Sequence, residues 1–173
     1  MKLNIQLFAG DPVLTDVMTF DEAHYFDIGD STTPNVVLGG VITQLDENSN
    51  IKEQEKQYIT DKSSTTKVTG FNNEFPITMD LVKNEEVSEY FYGIFRDRKV
   101  GEDAKVIHYI VELWNSTATN TYKARKITQT VSISSKVANP GEQISYSGSL
   151  KGGDFIDGTF NTSTKTFAAT TSL

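Results

Sequence analysis

The sequence predicts a mainly β protein, a β-sandwich or barrel with one flanking α-helix, and three features support this prediction. Apolar and polar residues alternate along much of residues 36–167, as in strands that bury one face. Turn-forming residues separate these runs, and Asn139-Pro140-Gly141 is a strong turn signal. Residues 84–96, in contrast, place their apolar side chains at the spacing of an amphipathic helix.

The first 34 residues are predicted to form an extended N-terminal arm (1–34), and residues 35–173 a single β domain. From Asp11 to Glu47 the chain contains acidic residues but no Lys or Arg. Two interpretations of the arm remain open. It is a solvated acidic terminus, or it docks on a neighbouring subunit, which its large apolar residues favour. Those residues are Leu14, Val17, Met18, Phe20, Tyr25, Phe26 and Ile28.

The first part of the β domain is predicted to contain a strand over residues 36–45. Within it, Gly39-Gly40 marks a bulge or a close backbone approach. Residues 52–59 fit either a helix or a strand. Residues 60–73 are polar and are predicted to form a long loop, which in a compact domain is usually functional or mobile.

The helix is predicted over residues 84–96, after a strand at 74–83. Asn84 can cap its first turn, where Glu85 and Glu86 meet the positive end of the helix dipole. Gly101 lies beyond its end. One side of the helix carries an apolar stripe that is expected to pack on the sheet as core. The stripe comprises Val87, Tyr90, Phe91, Ile94 and Phe95.

The C-terminal half is predicted to be a series of strands. Gly152-Gly153-Asp154 has the composition of a tight turn, which predicts a C-terminal β-meander. The strand over 121–136 alternates apolar residues with Thr and Ser, so one of its faces is expected to be wet. It lacks proline, and we expect it to offer an unpaired edge to another chain. Its few charged residues, expected to meet an acidic neighbour, are Lys123, Arg125 and Lys126.

Side chains that could carry chemistry are few and dispersed. His24 and His108 lie far apart in the chain and match no metal-binding spacing, so we interpret them as packed or surface histidines. Asp27 and Asp30 lack the ligand pattern of a calcium loop and are interpreted as turn residues.

Asp154 and Asp157 are likewise interpreted as turn residues and not as a glycosidase pair. The sequence contains no nucleophile elbow, P-loop or dinucleotide-binding motif, and it contains no Cys. We therefore expect no enzymatic activity, no resident metal and no cofactor. The net charge of −7 argues against a surface that grips phosphates. No apolar run is long enough for a membrane span, so no membrane partner is expected.

The segment from residue 144 to 167, ISYSGSLKGGDFIDGTFNTSTKTF, resembles the C-terminal signature of phage major tail tube proteins. The opening, MKLNIQLFA, is similar to that of structural proteins from phages of Gram-positive hosts. The order of features also resembles a siphophage tail tube protein. It comprises an arm, a strand with a Gly pair, a long polar loop, one amphipathic helix, and a YKARK segment before the final strands.

This resemblance implies a structural virion protein that forms homohexameric rings, which stack into the tail tube around a tape-measure protein. It also implies contacts with tail terminator and tail-tip or initiator proteins, and synthesis in the cytoplasm of the bacterial host. During ejection, DNA would pass transiently through the lumen. Strands with polar faces can line such a water-filled channel, and an acidic or neutral wall would let DNA slide.

The competing hypothesis is a stand-alone β-sandwich binding module that recognises carbohydrate or a host surface receptor. Exposed aromatic residues on a flat sheet would favour it, and Trp114, Tyr122 and Tyr146 are the candidates. A binding module should behave as a monomer, whereas a tube protein should form rings or tubes.

Overall fold

The computed structural model describes residues 16–29, 34–59 and 62–170. Within them, ten strands form one open antiparallel sheet, and one α-helix packs against it. The predicted mainly β class with one flanking helix is confirmed. The elements are β1 (Glu22–Asp27), β2 (Val36–Leu38), β3 (Ile42–Leu45), β4 (Asn48–Lys56), β5 (Thr65–Asp80), α1 (Glu86–Asp97), β6 (Lys105–Ala118), β7 (Thr121–Val137), β8 (Ser145–Lys151), β9 (Ile156–Asn161) and β10 (Thr166–Ala169), with short 3-10 turns at Thr19–Asp21 and Gly101–Ala104.

Strand β7 is the centre of the sheet, whose order is β2-β1-β6-β7-β8-β5-β3. β6 pairs with one edge of β7, and β8 and β9 pair in succession with the other edge. Lys151 lies opposite Thr130, and Ile156 lies opposite Lys126. Strands β8 and β9 therefore act as one long partner of β7, interrupted by a bulge that contains one extra residue. The expected unpaired edge at 121–136 is wrong for the first part of β7, where β6 covers one edge from Thr121 to Thr130 and β9 covers the other from Thr121 to Lys126. Within the described residues, 131–137 pair with β8 alone, so one edge is unpaired there as expected.

The predicted tight turn at Gly152-Gly153 is also wrong, because these glycines form the bulge between β8 and β9. Both have positive φ values, 81° and 86°. A Cβ on Gly153 would lie only 2.2 Å from the carbonyl oxygen of Thr128, so the backbones approach closely there. Only β9 and β10 pair as a hairpin in this region. Glycine at these positions therefore permits a bulge through which the chain passes from β8 to β9 without reversing its direction, whereas the sequence pattern predicts a chain reversal.

The predicted loop at 60–73 is mostly strand. β5 begins at Thr65 and pairs with β4 from Asn48 opposite Glu74 to Lys56 opposite Thr65. These two segments form a long β-hairpin, and the described residues between them that are not strand are 57–59 and 62–64. The loop prediction failed because both faces of this hairpin carry polar residues, which hides the period-two signal.

Part of the predicted irregular arm is a strand inside the sheet. β1 lies between β2 and β6, and Phe26 is fully buried. Its sequence, EAHYFD, lacks a regular alternation of apolar and polar residues, which is why it was not recognised. Residues 1–15 and 30–33 of the arm lie outside the described residues.

The predicted strand at 36–45 is two short strands, β2 and β3, with a turn between them. The close approach expected at the Gly pair occurs at Gly39, where a Cβ would lie 2.7 Å from the ring of Phe26. Gly40, in contrast, has open space around its Cβ position. The Gly pair therefore predicts the close backbone approach correctly, but the sequence pattern predicts one strand where the structure has two.

Helix α1 confirms the predicted helix, with a different cap. Glu85 is the N-cap residue, and its side chain accepts a hydrogen bond of 2.6 Å from the amide of Ser88. Asn84 instead has a positive φ of 63°. Arg98 ends the helix in the left-handed conformation. The buried side of the helix packs on the inner face of the sheet and contributes Val87, Phe91 and Ile94 to the core.

The sheet has two chemically distinct faces. The inner face and α1 enclose the main core, which includes Phe75, Ile77, Tyr146 and Leu150. On the outer face, a second cluster gathers around Tyr109, Val111, Ala124 and Phe160. The rest of the outer face is polar.

Candidate assembly surface

The β4–β5 hairpin projects from the domain. All nine residues of β4 are exposed, and so is nearly all of β5 up to Asn72. A nine-residue strand spans roughly 30 Å. Between Thr65 and Glu74, β5 pairs with β4 on one edge. Its pairing with β8 covers only Glu74 to Asp80. The hairpin is thus a two-stranded ribbon without a covering layer, which is marginally stable by itself in water.

One face of this hairpin continues the core-facing side of β5. Phe71 lies on the same face as the buried Phe75, because alternate residues of a strand share a face. Ile51 pairs with Phe71 and belongs to this face, as does Val68 beyond a bulge. Their exposed fractions are 56% for Ile51, 48% for Val68 and 62% for Phe71. We call this set, together with Glu53 and Glu55 on β4, the apolar-acidic face.

The opposite face of the hairpin is basic. Lys52 and Lys56 on β4, and Lys67 on β5, alternate with the residues of the apolar-acidic face. All three lysines are exposed. Segregated charge and three exposed large apolar side chains on one ribbon are typical of a protein–protein contact.

The outer face of β7 carries exposed hydroxyl groups, as the sequence predicted. Thr128, Thr130 and Ser132 are exposed and alternate with the buried Gln129 and Val131. On β8 the half-buried Ser147 continues this surface opposite Ser135, whereas Ser149, opposite Ser132, is itself buried. Lys105 and Lys151 lie opposite Thr130 on the two neighbouring strands and share this face, and they are paired with Glu102 and Glu74. The surface is therefore polar, with its lysines paired to carboxylates, which suits contact with water.

His24 and His108, which the sequence predicts to be unrelated packed or surface histidines, meet across β1 and β6. His24 Nδ1 lies 3.1 Å from His108 Nε2, and His24 Nε2 lies 3.3 Å from Glu22 Oε1. Burial lowers the pKa of His24 to about 4. Burial, with a smaller contribution from the charge of His24, lowers the pKa of His108 to about 3. Both imidazoles are therefore neutral at pH 7.

Gln129 closes this chain of polar groups inside the core. Its Oε1 lies 3.1 Å from His108 Nδ1, and its Nε2 is buried without a partner in the described part of the chain. Turning the amide over exchanges these atoms and lets Nε2 donate to His108 Nδ1. The described residues contain no cluster of three or more His, Cys, Asp or Glu side chains that could hold a metal ion. The histidine pair is best explained as a satisfied polar element of the core.

Arg125 pairs inside its own chain, so its expected role as a contact for an acidic neighbour is wrong. Its guanidinium donates two hydrogen bonds, of 2.9 and 2.8 Å, to the carboxylate of Glu47, and it lies 4.7 Å from the centroid of Phe155. This bidentate pairing raises the pKa of Arg125. Burial raises the pKa of the nearby Glu22, and the charges of Glu47 and Glu112 add to that effect while Arg125 opposes it.

The remaining acidic candidates occupy turns and surface positions. Asp27 accepts hydrogen bonds from the amides of Gly29 and Asn35, which is a turn role, and Asp30 lies outside the described residues. Asp154 and Asp157 are both exposed.

The three aromatic candidates for ligand recognition differ in their exposure. Tyr146 is buried in the core and Tyr122 is half-buried, whereas Trp114 is 45% exposed. Trp114 lines an open groove beside β1 and β3. One exposed ring does not form the flat aromatic platform that carbohydrate recognition would need. In the described ranges, no helix has the length and apolar character to cross a membrane.

Comparison with known proteins shows a shared fold. No protein-family model and no curated protein matches the sequence. Among solved structures, the chain is similar to one in the tail of an empty GTA particle determined by helical refinement with C6 symmetry. The TM-score is 0.57 at 11% identity, over 81% of this chain and 97% of that chain. A chain in the six-fold symmetrised baseplate of the anti-feeding prophage matches with a TM-score of 0.48 at 10% identity, over 83% and 96% of the respective chains.

Proposed function

We propose that this chain is a structural virion protein that assembles as homohexameric rings, which stack into a phage tail tube. The exposed hairpin carries this proposal, because its apolar-acidic face leaves Ile51, Val68 and Phe71 in water until another chain covers them. The fold match to a chain from a C6-symmetric tail supports the same proposal, including six copies in each ring.

The hydroxyl-rich outer face of β7 and β8 is the surface that we assign to the lumen. Thr128, Thr130 and Ser132 present neutral hydroxyl groups, which hydrate well. The lysines on either side of Thr130, Lys105 and Lys151, are paired with Glu102 and Glu74, so their charge is compensated and is not free to grip phosphates. DNA can therefore pass along such a wall during ejection into the host. The tape-measure protein would occupy the same lumen beforehand, and tail terminator and tail-tip proteins would contact the two ends of the tube.

Ring closure would use the edges of the sheet that lack a partner in the single chain. In the described part of the chain, β2 pairs with β1 alone, β4 with β5 alone, and β10 with β9 alone. Unpaired N–H and C=O groups on such edges are templates for a neighbouring strand. The segment before β1 is proposed to act as the arm that reaches a neighbouring subunit.

The experiment that tests this function is electron microscopy of the purified full-length protein at rising concentrations, combined with mass photometry. We expect rings with six-fold class averages and tubes built from them. Particles that remain near the monomer mass of 19.2 kDa at every concentration, with or without tape-measure and tail-tip proteins, would overturn the proposal. That result would favour the stand-alone binding module instead.

A further inference from the structure

A groove with a basic rim lies beside the C-terminal end of α1, where the helix crosses the second half of β7. Its volume is about 580 Å³, and Phe95, Val100 and Ile133 supply apolar lining. Arg98, Lys99 and Lys136 also line it, together with Arg96, while no acidic residue does. Val100 is 79% exposed. We call this feature the basic groove.

The positive charge of the groove is largely uncompensated. Within the described residues, Arg96 pairs with Asp97, but Arg98, Lys99 and Lys136 form no ion pair. The negative end of the helix dipole offsets only part of this charge. A partner for this surface should therefore combine apolar side chains with carboxylates.

The apolar-acidic face of the hairpin has this chemistry. Ile51, Val68 and Phe71 match the apolar lining, while Glu53 and Glu55 lie on the same face. Glu53 forms no ion pair in the part of the chain that the structure describes. The basic lysines of the hairpin lie on its other face, away from this contact.

The two surfaces cannot meet within one molecule, because they lie in opposite directions along the sheet. Lys136 on β7 lines the basic groove and lies opposite Tyr146 on β8, which in turn lies opposite Met79 on β5. The groove is therefore level with Met79, near the end of β5. The hairpin leaves the sheet at Glu74 and runs the other way. A projection at one end and a receptor surface towards the other produce a head-to-tail contact between copies.

We infer that the apolar-acidic face of the hairpin docks in the basic groove of a second copy of this chain. This inference rests on the proposed function, since a head-to-tail contact that repeats is what stacks rings. Glu53 and Glu55 meet Lys99 and Lys136 of the second copy, and Phe71 and Val68 cover Phe95 and Val100. The contact buries apolar surface at its centre and leaves charged pairs at its rim.

A charge-swap experiment tests the contact. One variant carries Glu53→Lys and Glu55→Lys, a second carries Lys99→Glu and Lys136→Glu, and a third combines all four changes. Each double variant should raise the protein concentration needed for tubes by about tenfold or more, because like charges then face each other across the interface. The combined variant should restore most of the loss.

A matched control reverses charge on the other face of the same hairpin, with Lys52→Glu and Lys67→Glu, and should leave tube formation unchanged. Urea unfolding of each monomer checks that the exposed substitutions leave the fold intact. If wild-type protein forms tubes and the double variants form them equally well, or if the combined variant shows no recovery, this inference is wrong while the proposed function stands. If wild-type protein forms neither rings nor tubes, the proposed function itself fails.

The chain also permits chemical cross-linking, because it contains no native cysteine. Protein with Val68→Cys is mixed with tagged protein carrying Val100→Cys, and assemblies are treated with a short bismaleimide. We expect a product that contains one copy of each. Lys67→Cys replaces Val68→Cys as the control, since it points to the opposite face, and it should give little product. Equal yields from the two hairpin positions would overturn the assignment.

Discussion

Nδ1 of His24 lies 3.1 Å from Nε2 of His108, although 84 positions separate the two residues. Their strands are antiparallel neighbours, with Phe26 opposite His108 and His24 opposite Ile110, so the rings are diagonal neighbours on the inner face. Phe26 also stacks on His108 with a centroid distance of 4.6 Å. His108 is thus enclosed by the core, and His24, whose side chain is 23% exposed, lies at the margin of the core beside it. Protonation of either ring would place a charge in or next to the core.

The first prediction concerns the pH dependence of stability. Both histidines have folded-state pKa values, about 4 for His24 and about 3 for His108, below the unfolded value of about 6.5. The unfolded chain therefore binds protons that the folded chain excludes. Stability from this source is complete above about pH 6.5 and is lost as the pH falls towards the folded values. We expect the free energy of unfolding, measured with urea, to fall by roughly 3 kcal/mol or more between pH 7 and pH 4.

His24→Gln separates the histidine contribution from that of the carboxylates. The amide can keep a hydrogen bond to His108 but does not titrate, so the variant should show a shallower decline between pH 6.5 and pH 4. Parallel profiles for the wild-type and variant proteins would show that His24 does not cause the acid sensitivity.

The second prediction concerns the tautomers of these rings at pH 7. The Nε2–H group of His24 donates a hydrogen bond to the Glu22 carboxylate, so His24 Nδ1 must accept a hydrogen bond from the Nε2–H group of His108. That leaves His108 Nδ1 as an acceptor for the amide group of Gln129. We expect ¹⁵N NMR shifts that place the proton on Nε2 of both rings. A protonated Nδ1 on His108 would reverse the direction of the chain and contradict this assignment.

The third prediction compares neighbouring glycines in the β8–β9 bulge. Gly152→Ala meets no atom within 4 Å and incurs only the cost of a left-handed backbone, about 1 kcal/mol. Gly153→Ala has the same backbone cost and also places its Cβ 2.2 Å from the carbonyl oxygen of Thr128. We expect it to lose roughly 3 kcal/mol of stability in urea unfolding, because the bulge must open. Equal losses would mean that the close approach is relieved without cost.

The sequence predicted those features that depend on local pattern. The helix was found because its apolar stripe and acidic first turn lie within a dozen residues, although Glu85 and not Asn84 provides the cap. The wet face of β7 was found because Thr and Ser alternate there with buried residues. Both signals belong to one element and need no knowledge of its neighbours.

The features that the sequence did not predict depend on pairing between distant segments. Nothing local indicates that Arg125 meets Glu47, or that β8 and β9 share one edge of β7. The sequence does not predict the hairpin because polar residues are interspersed on both of its faces, including the apolar-acidic one. Its β-branched run, TTKVT, and the spacing of Ile51, Val68 and Phe71 were the available signals, and they became interpretable only once β4 was registered against β5.

The last prediction contrasts two phenylalanines on the same face of β5. Phe75 is 1% exposed in the core, whereas Phe71, four residues earlier, is 62% exposed on the hairpin. Phe75→Ala should lower the free energy of unfolding by about 3–5 kcal/mol, the usual cost of emptying a buried aromatic site. Phe71→Ala should change monomer stability by no more than about 0.5 kcal/mol, as surface substitutions usually do.

Assembly should depend on Phe71, although the stability of the monomer does not. Phe71→Ala keeps a folded monomer but removes apolar surface that a second chain would cover, so we expect it to raise the concentration required for tubes. Thr69→Ala, on the same exposed hairpin strand, is the matched control and should assemble as the wild type does. Urea unfolding measures the monomer, and light scattering with electron microscopy measures assembly. A Phe71→Ala protein that assembles normally would show that Phe71 is not covered in the tube.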